Sequence, residues 1–368
     1  MTGIDPHELH TPARIGLAGA GAVSHQYLPN LLRLPGLEVA AVSDVDAGVA
    51  AKVSEQYRVP AVPVDDLLAD PTIDIVVNLT PIAYHVPVTR NILRAGKHVY
   101  SEKSLATSVS EARELLALAE AKGLTVAGAP DTLLGTSFQT ARRQLEGGFG
   151  RPLTIVAAML RSQALSTRYF SNHTAIFDMA PYYVSALVSL FGPVREVSGY
   201  LENAPTKAGE PVLTVGVSGV LHFESGLAAS LALNWGSAHR HEIPVLDVYT
   251  ESGVVRFGNP NNFGDPAFVR HHEDPAGQWQ EIPGSRQPAE WLHNRRGLGV
   301  AEMADAIAAG RTPRASGELA CHVVDVIASL VAAAESGRNV TLSTACTRPE
   351  LLSDQERGHL DPNPVTNS

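Results

Sequence analysis

The stretch Arg14-Ile15-Gly16-Leu17-Ala18-Gly19-Ala20-Gly21-Ala22-Val23-Ser24 decides how the first third of the chain folds. Arg14 to Ala18 reads as a buried strand, and a glycine-rich turn follows at once. From His25 to Leu34 the apolar residues Leu28, Leu31 and Leu32 recur at helical spacing. Leu37 to Ser43 is a second continuous apolar run, closed by Asp44. Strand, tight turn, helix, strand, acid is an order that suits a pyrophosphate. Gly19 permits the turn, Gly21 lets backbone approach the anion, and the small Ser24 allows close packing of a helix whose N-terminus favours negative charge. Ala22 and Val23 complete the loop. Asp44 lies about 20 residues further on, where a carboxylate accepts ribose hydroxyls and repels a 2′-phosphate. Its neighbours Val45, Asp46 and Ala47 include no arginine, so NAD is expected rather than NADP.

The alternation continues. Val49–Tyr57 and Val64–Leu68 read as helices, and Ile73–Leu79 as an apolar strand ending in Thr80-Pro81. Val86–Ala95 is a helix closed by Gly96, a C-cap glycine by position. His98–Ser101 is a strand, Ser108–Lys122 a helix capped by Ser108 or Ser110, and Leu124–Ala127 one more strand. This rhythm predicts a doubly wound parallel sheet of Rossmann type, covered on both faces, with ligands beyond the carboxyl ends of the strands. Gly19, Asp44, Thr80, Lys103 and Ala129 fall there. The fourth of these strands runs straight into Glu102 and Lys103, opposite charges with no turn glycine between them. Neighbours along an extended strand point apart, so the two need not form a simple surface pair.

Beyond about Pro130 the pattern changes. After a helix at Thr136–Glu146, the runs Leu153–Leu160, Val212–Phe223 and Leu227–Trp235 read as longer strands joined by turns such as Glu224-Ser225-Gly226. A helix at Ile176–Leu190 interrupts them, and Val300–Ala309 and Glu318–Ser336 are helical. Strands in succession without helices imply a large, open, mostly antiparallel sheet in an α+β domain. The expected division is 1–130 and 131–368, with a frayed polar tail after Leu352.

A net charge of −10 and 6% aromatic residues argue against a nucleic-acid surface, which needs lysine and arginine against phosphate. The 2 cysteines, Cys321 and Cys346, make neither a disulfide framework nor a zinc pattern. The N-terminus lacks a basic start with an apolar run, and no stretch approaches 18 uninterrupted apolar residues. A soluble, cytoplasmic protein is expected.

Several motifs carry a family resemblance. Gly19-Ala20-Gly21, Asn78-Leu79-Thr80-Pro81 with His85 after it, and Ala95-Gly96-Lys97-His98-Val99 followed by Glu102-Lys103 resemble the Gfo/Idh/MocA oxidoreductases. The resemblance implies that Lys103 is catalytic, that Thr80 and Pro81 contact the cofactor with His85 beside them, and that Glu102 lies near the nicotinamide ribose. Ser104 stands where the family has proline. Phe177-Asp178-Met179-Ala180-Pro181-Tyr182-Tyr183 resembles a segment where many members carry Asp-x-x-x-His; here Tyr182 replaces the histidine, four residues after Asp178 and so on the same helix face. Asn294-Arg295-Arg296-Gly297-Leu298-Gly299 and Ala315 to His322 resemble an uncharacterised bacterial branch.

Oxidising an alcohol needs a base, a nicotinamide facing the departing hydride, and anchors for the substrate. Lysine titrates near pH 10.4, so as a base it must be pulled down by burial or a neighbouring cation. The candidates are Lys103, Asp178 and Tyr182 for catalysis, with Lys103, Asp131, Arg161, His173, Asp178 and Tyr182 around the substrate. Arg168 sits near the same wall. Tyr183 reads as core, and Arg295 and Arg296 as structural ion pairs. His239 and His241 share a strand face, but no third ligand is spaced for a metal and none is expected. The leading expectation is an NAD-dependent dehydrogenase acting on a secondary hydroxyl of a sugar, glycoside or cyclitol, a substrate class that the resemblance implies. The alternative is an NAD-dependent glycoside hydrolase or lyase that oxidises C3 transiently and eliminates the aglycone; it needs another base, for which Tyr182, His173 and Asp131 are candidates. A third class is a non-enzymatic NAD sensor. A homodimer or homotetramer is expected, built on the open sheet.

Overall fold

Ser43, Ala18, Asn78, Ser101 and Gly128 lie side by side across one sheet and end its five strands along one edge. The structure, a computed structural model, describes residues 9–205, 210, 212–236, 243–286 and 295–360. The first sheet is wholly parallel, in the order β2-β1-β3-β4-β5. Its elements are β1 (Ala13–Ala18), α1 (Ser24–Leu31), β2 (Leu37–Ser43), α2 (Ala47–Tyr57), α3 (Val64–Ala69), β3 (Ile75–Asn78), α4 (Ile82–Arg94), β4 (His98–Ser101), α5 (Val109–Ala121) and β5 (Val126–Gly128). The doubly wound α/β expectation holds. Val76, Val99, Ile92, Leu93, Leu105 and Leu115 form part of its core, each contributing about 1.5–3 kcal/mol by leaving water. Because the strands end in register, the segments that follow them emerge along one rim: Gly19, Asp44, Leu79-Thr80, Glu102-Lys103 and Ala129. Gly96 closes α4 at φ +79, and Ser108 is the residue that caps α5.

The second sheet has nine strands in the order β13-β12-β11-β10-β6-β9-β8-β7-β14. Its elements begin with α6 (Thr136–Glu146), β6 (Pro152–Leu160), α7 (Thr167–Phe170), α8 (Thr174–Phe191), β7 (Val194–Asn203), β8 (Thr214–Phe223) and β9 (Ala228–Asn234). They continue with β10 (Ile243–Thr250), β11 (Gly253–Arg256), β12 (Phe268–His271) and β13 (Gln280–Glu281). After α9 (Leu298–Ala308) and α10 (Gly317–Ser336), β14 (Val340–Thr341) adds the far edge, and α11 (Asp354–Leu360) follows. β6 and β9 pair in parallel and every other described pair is antiparallel, as the sequence of uninterrupted strands predicts. α10 packs closely on this sheet because β7 and β8 offer glycines: a Cβ at Gly199 would lie 2.4 Å from Leu330 O, and one at Gly219 would lie 2.7 Å from Leu330 Cδ2. α8 with the turn before it (Ser171–Phe191) and α10 are each long and apolar enough to cross a membrane, yet 89% and 67% of these spans is buried inside the protein. The opposite sheet face carries Val156, Ala158, Ser218, Val220 and Ala232, with Tyr200 67% exposed.

The chain divides into two compact units: Met1–Leu134 with Asn294–Cys321 and Leu352–Ser368, and Gly135–His293 with His322–Leu351. Residues 295–321 and 352–360 belong to the first unit: α9 packs on β4, β5 and α1, and Ser316 bridges to Ala127. The tail after Leu352 is not frayed at its start. Leu352 and Leu360 are buried, and Glu356 of α11 pairs with Arg311 and Arg314, which also hold the buried Glu302.

Candidate active site

In the first unit the glycine turn is held from both sides. Gly19 N–H donates to Ser43 O at 2.8 Å, and Leu79 N–H donates to Ala18 O at 2.8 Å. A Cβ on Gly19, whose φ is +105, would lie 2.8 Å from Leu79 C, so only glycine lets this turn pass so near the Thr80 loop. Asp44 spans the same opening: its Oδ2 accepts Ala20 N–H at 2.8 Å and its Oδ1 accepts Asp46 N–H at 2.9 Å. Gly21 and Ala22 are exposed, a Cβ on Gly21 would meet nothing within 4 Å, and Val23, the N-cap of α1, puts no side chain on the first-turn N–H groups. Open space before an uncapped helix start, with a carboxylate to one side, fits a dinucleotide.

The Thr80 loop is fixed from beneath. Asn78 Oδ1 accepts Thr80 N–H at 3.2 Å and Thr80 Oγ1–H at 2.7 Å, while Asn78 Nδ2 donates to Thr89 Oγ1 and His85 O at 3.1 Å. His85, expected beside the cofactor, is only 2% exposed. Its ring nitrogens lie 2.7 Å from Thr80 O and 2.7 Å from Ser104 O, so it joins the two loops that border the rim. Pro81 precedes α4 as its N-cap.

Lys103 is half-buried at the end of β4, and the Lys103–Ser104 peptide is cis. Glu102, expected near the nicotinamide ribose, is 6% exposed. Its Oε1 accepts Tyr27 Oη–H at 2.7 Å, its Oε2 accepts Lys103 N–H at 3.0 Å, and Arg296 Nη1 lies 3.7 Å from Oε1. Burial, then the Glu102 charge, hold the Tyr27 hydroxyl well above its ordinary range, so it acts as a donor. Asp131, expected to line a cleft, is 0% exposed. Its Oδ2 accepts Gly297 N–H at 2.9 Å and Gly299 N–H at 3.0 Å, capping α9 from a distance. Burial raises its carboxyl above the usual value, opposed by those two N–H groups and Arg296.

In the second unit Asp178 has a partner that the sequence reading missed. Tyr169 Oη donates to Asp178 Oδ2 at 2.7 Å, and burial together with the Asp178 charge raises the Tyr169 hydroxyl so that it stays protonated. Tyr182, which spacing placed on the Asp178 face, is 3% exposed, and Tyr183 is fully buried as expected. His173 stands with Asn172 at positive φ, +58 and +52, just before α8. Its Nδ1 lies 3.2 Å from Thr214 Oγ1 and its Nε2 lies 3.5 Å from Glu335 Oε1. Arg161 lies close enough to Tyr169 for its charge to lower that hydroxyl slightly. The Arg168 side chain, His239 and His241 fall outside the described residues.

Residues 13–129 match the family model described as an oxidoreductase family with an NAD-binding Rossmann fold, and residues 138–256 match the C-terminal domain of the same family. The chain belongs to the Gfo/Idh/MocA oxidoreductase family. It is therefore an NAD-binding oxidoreductase. Among curated Gfo/Idh/MocA relatives, dTDP-3,4-didehydro-2,6-dideoxy-alpha-D-glucose 3-reductase of Streptomyces antibioticus is 27% identical over 71% of this chain and 81% of its own. 1,5-Anhydro-D-fructose reductase of Ensifer adhaerens is 32% identical over 38% of this chain and 43% of its own. The match to the uncharacterised oxidoreductase YrbE of Bacillus subtilis spans 54% of that relative's length. Levoglucosan dehydrogenase, solved with NADH and L-sorbose, has the same fold: TM-score 0.77 and 18% identity over 90% of this chain and 99% of that one.

Proposed function

We propose that this protein oxidises a secondary hydroxyl of a sugar, glycoside or cyclitol, with Lys103 as the acid/base group. The observation that carries the reading is Lys103 at the end of β4, on the rim that also bears the Gly19 turn and Asp44. In this reading Gly19, Gly21, Ala22 and Val23 hold the pyrophosphate, Asp44 accepts ribose hydroxyls, and Thr80 and Pro81 border the nicotinamide. Bound NAD supplies the hydride acceptor. Lys103 takes the hydroxyl proton. The reductases of sugar derivatives among the relatives support the substrate class.

The glycoside-cleaving alternative needs an additional base near C2. Asp131 and Tyr182 are buried, and His173 faces Thr214 and Glu335, which favours simple oxidation. Incubation with NAD and a panel of polyols, followed at 340 nm, tests the reading. Lys103→Ala should lower kcat by about 10²–10⁴-fold. No NADH from any polyol, with folded protein that binds NAD, would sink it. Cleavage of a glycoside with solvent deuterium entering C2 would put the alternative in its place. We also propose that the uncovered sheet face around Tyr200 joins copies of the chain, which sedimentation of wild type against Tyr200→Glu reads directly.

A further inference from the structure

We infer that Arg296 is a positioning residue for Lys103, acting through Glu102; this rests on the reading that Lys103 takes the proton. Glu102 is a buried carboxylate, and its Oε2 already holds the backbone of Lys103 through the 3.0 Å hydrogen bond from Lys103 N–H. A charge in that place draws any neighbouring amine toward its ammonium form. Tyr27 gives Glu102 a hydrogen bond but no charge. The balancing cation is Arg296, 3.7 Å from Oε1, with both side chains largely buried.

Arg296 is itself held in place from three directions. Its Nε donates to Gln26 Oε1 at 3.0 Å, and its carbonyl accepts Asn30 Nδ2–H at 2.9 Å, both from α1. The segment just after it is held by Asp131 through Gly297 and Gly299. A long chain excursion thus returns to the Rossmann unit and delivers one guanidinium to the carboxylate beside Lys103. By sharing the Glu102 charge, Arg296 weakens the pull of that carboxylate on the lysine. The other titratable groups around this strand end are Tyr27 of α1, Tyr100 of β4, Asp131 after β5 and His85 of α4. Burial, with Asp131 and Glu102 after it, holds the Tyr100 hydroxyl well above its ordinary range, and Tyr27 is raised likewise. Asp131 Oδ2 accepts the two glycine N–H groups, and the His85 ring nitrogens face two carbonyl oxygens.

The chain has 5 lysines, Lys52, Lys97, Lys103, Lys122 and Lys207, so reductive ¹³C-methylation of the full protein gives few methyl resonances. Lys103→Arg identifies the one from Lys103. In Arg296→Gln the midpoint of the Lys103 titration should rise by about one pH unit. Arg296→Lys should restore it, and Glu102→Gln/Arg296→Gln should bring it back down, because the coupling runs through the carboxylate. An unmoved midpoint in folded Arg296→Gln overturns the inference. So does an equal rise in the double variant, which would mean a general structural disturbance. If Arg296→Gln does not fold, Glu102→Gln alone decides: the midpoint must fall, and an unchanged value overturns the inference. No step of this test uses a substrate, so failure of the dehydrogenase reading and failure of the coupling are separate results.

Discussion

Acidification should destabilise the second unit through one histidine. His322 of α10 is 0% exposed. Its Nε2 accepts Val194 N–H at 2.9 Å, and its other nitrogen lies 2.9 Å from Thr344 Oγ1, which donates to Asp325 Oδ2 at 2.9 Å. A second ring proton would press an N–H against the N–H of Val194, so the ring is neutral. Burial lowers its pKa from 6.5 to about 4, with Asp325 pulling weakly the other way. The unfolded chain therefore binds a proton that the folded one refuses. The stability this histidine contributes is fully present above pH 6.5 and disappears as the pH falls toward 4. At 1.36 kcal/mol per unit the whole effect is about 3 kcal/mol, of which roughly 2 kcal/mol is lost between pH 7 and pH 5. His322→Gln offers a carbonyl oxygen to Val194 without a titrating group. Urea unfolding of both proteins at pH 7 and pH 5, followed by far-ultraviolet circular dichroism, measures the difference. The wild type should lose about 2 kcal/mol more than the variant over that interval. Equal losses would show that His322 accepts a proton without leaving its place, and the argument from its hydrogen bonds would fail.

Two further outcomes follow from the first unit. Gly299→Ala puts a Cβ 2.5 Å from Tyr100 Oη and 2.9 Å from Asp131 Cβ, so it should cost about 1–3 kcal/mol and lower the thermal midpoint; an unchanged midpoint would mean that α9 can shift at no expense. Asp44→Ala removes the acceptor of Ala20 N–H and the proposed ribose acceptor together, and should weaken NADH binding by about 1.5–3 kcal/mol while weakening NADPH far less. Fluorescence titration with both nucleotides reads this, and equal weakening of the two would remove Asp44 from the proposed ribose site.

What the sequence could reveal and what it could not divide along one physical line. A parallel strand buried on both faces is a continuous apolar run, and a crossover helix has its own period, so β1 through β5 and the rim they share were readable from spacing alone. The direction in which a rim side chain turns has no period. Glu102 and Asp131 both follow strand ends, where the general rule for open α/β sheets places ligands. Both instead turn inward, because partners from distant parts of the chain meet them there: Tyr27 and Arg296 for Glu102, Gly297 and Gly299 for Asp131. The same holds in the second unit. Helical spacing pointed from Asp178 to Tyr182, yet the turn through Asn172 and His173 brings Tyr169 of the preceding short helix to the carboxylate. The end of the chain shows the limit from the other side. Leu352 and Leu360 bracket a polar stretch too short to show an apolar stripe, and Arg311 and Arg314 from distant positions receive Glu356 there. A carboxylate at a strand end is therefore a candidate for either the ligand or the fold. A cation or a row of N–H groups arriving from elsewhere in the chain marks the second use, and Asp44 differs from Asp131 on that point as well as in burial: its donors come from the Gly19 loop and from its own turn.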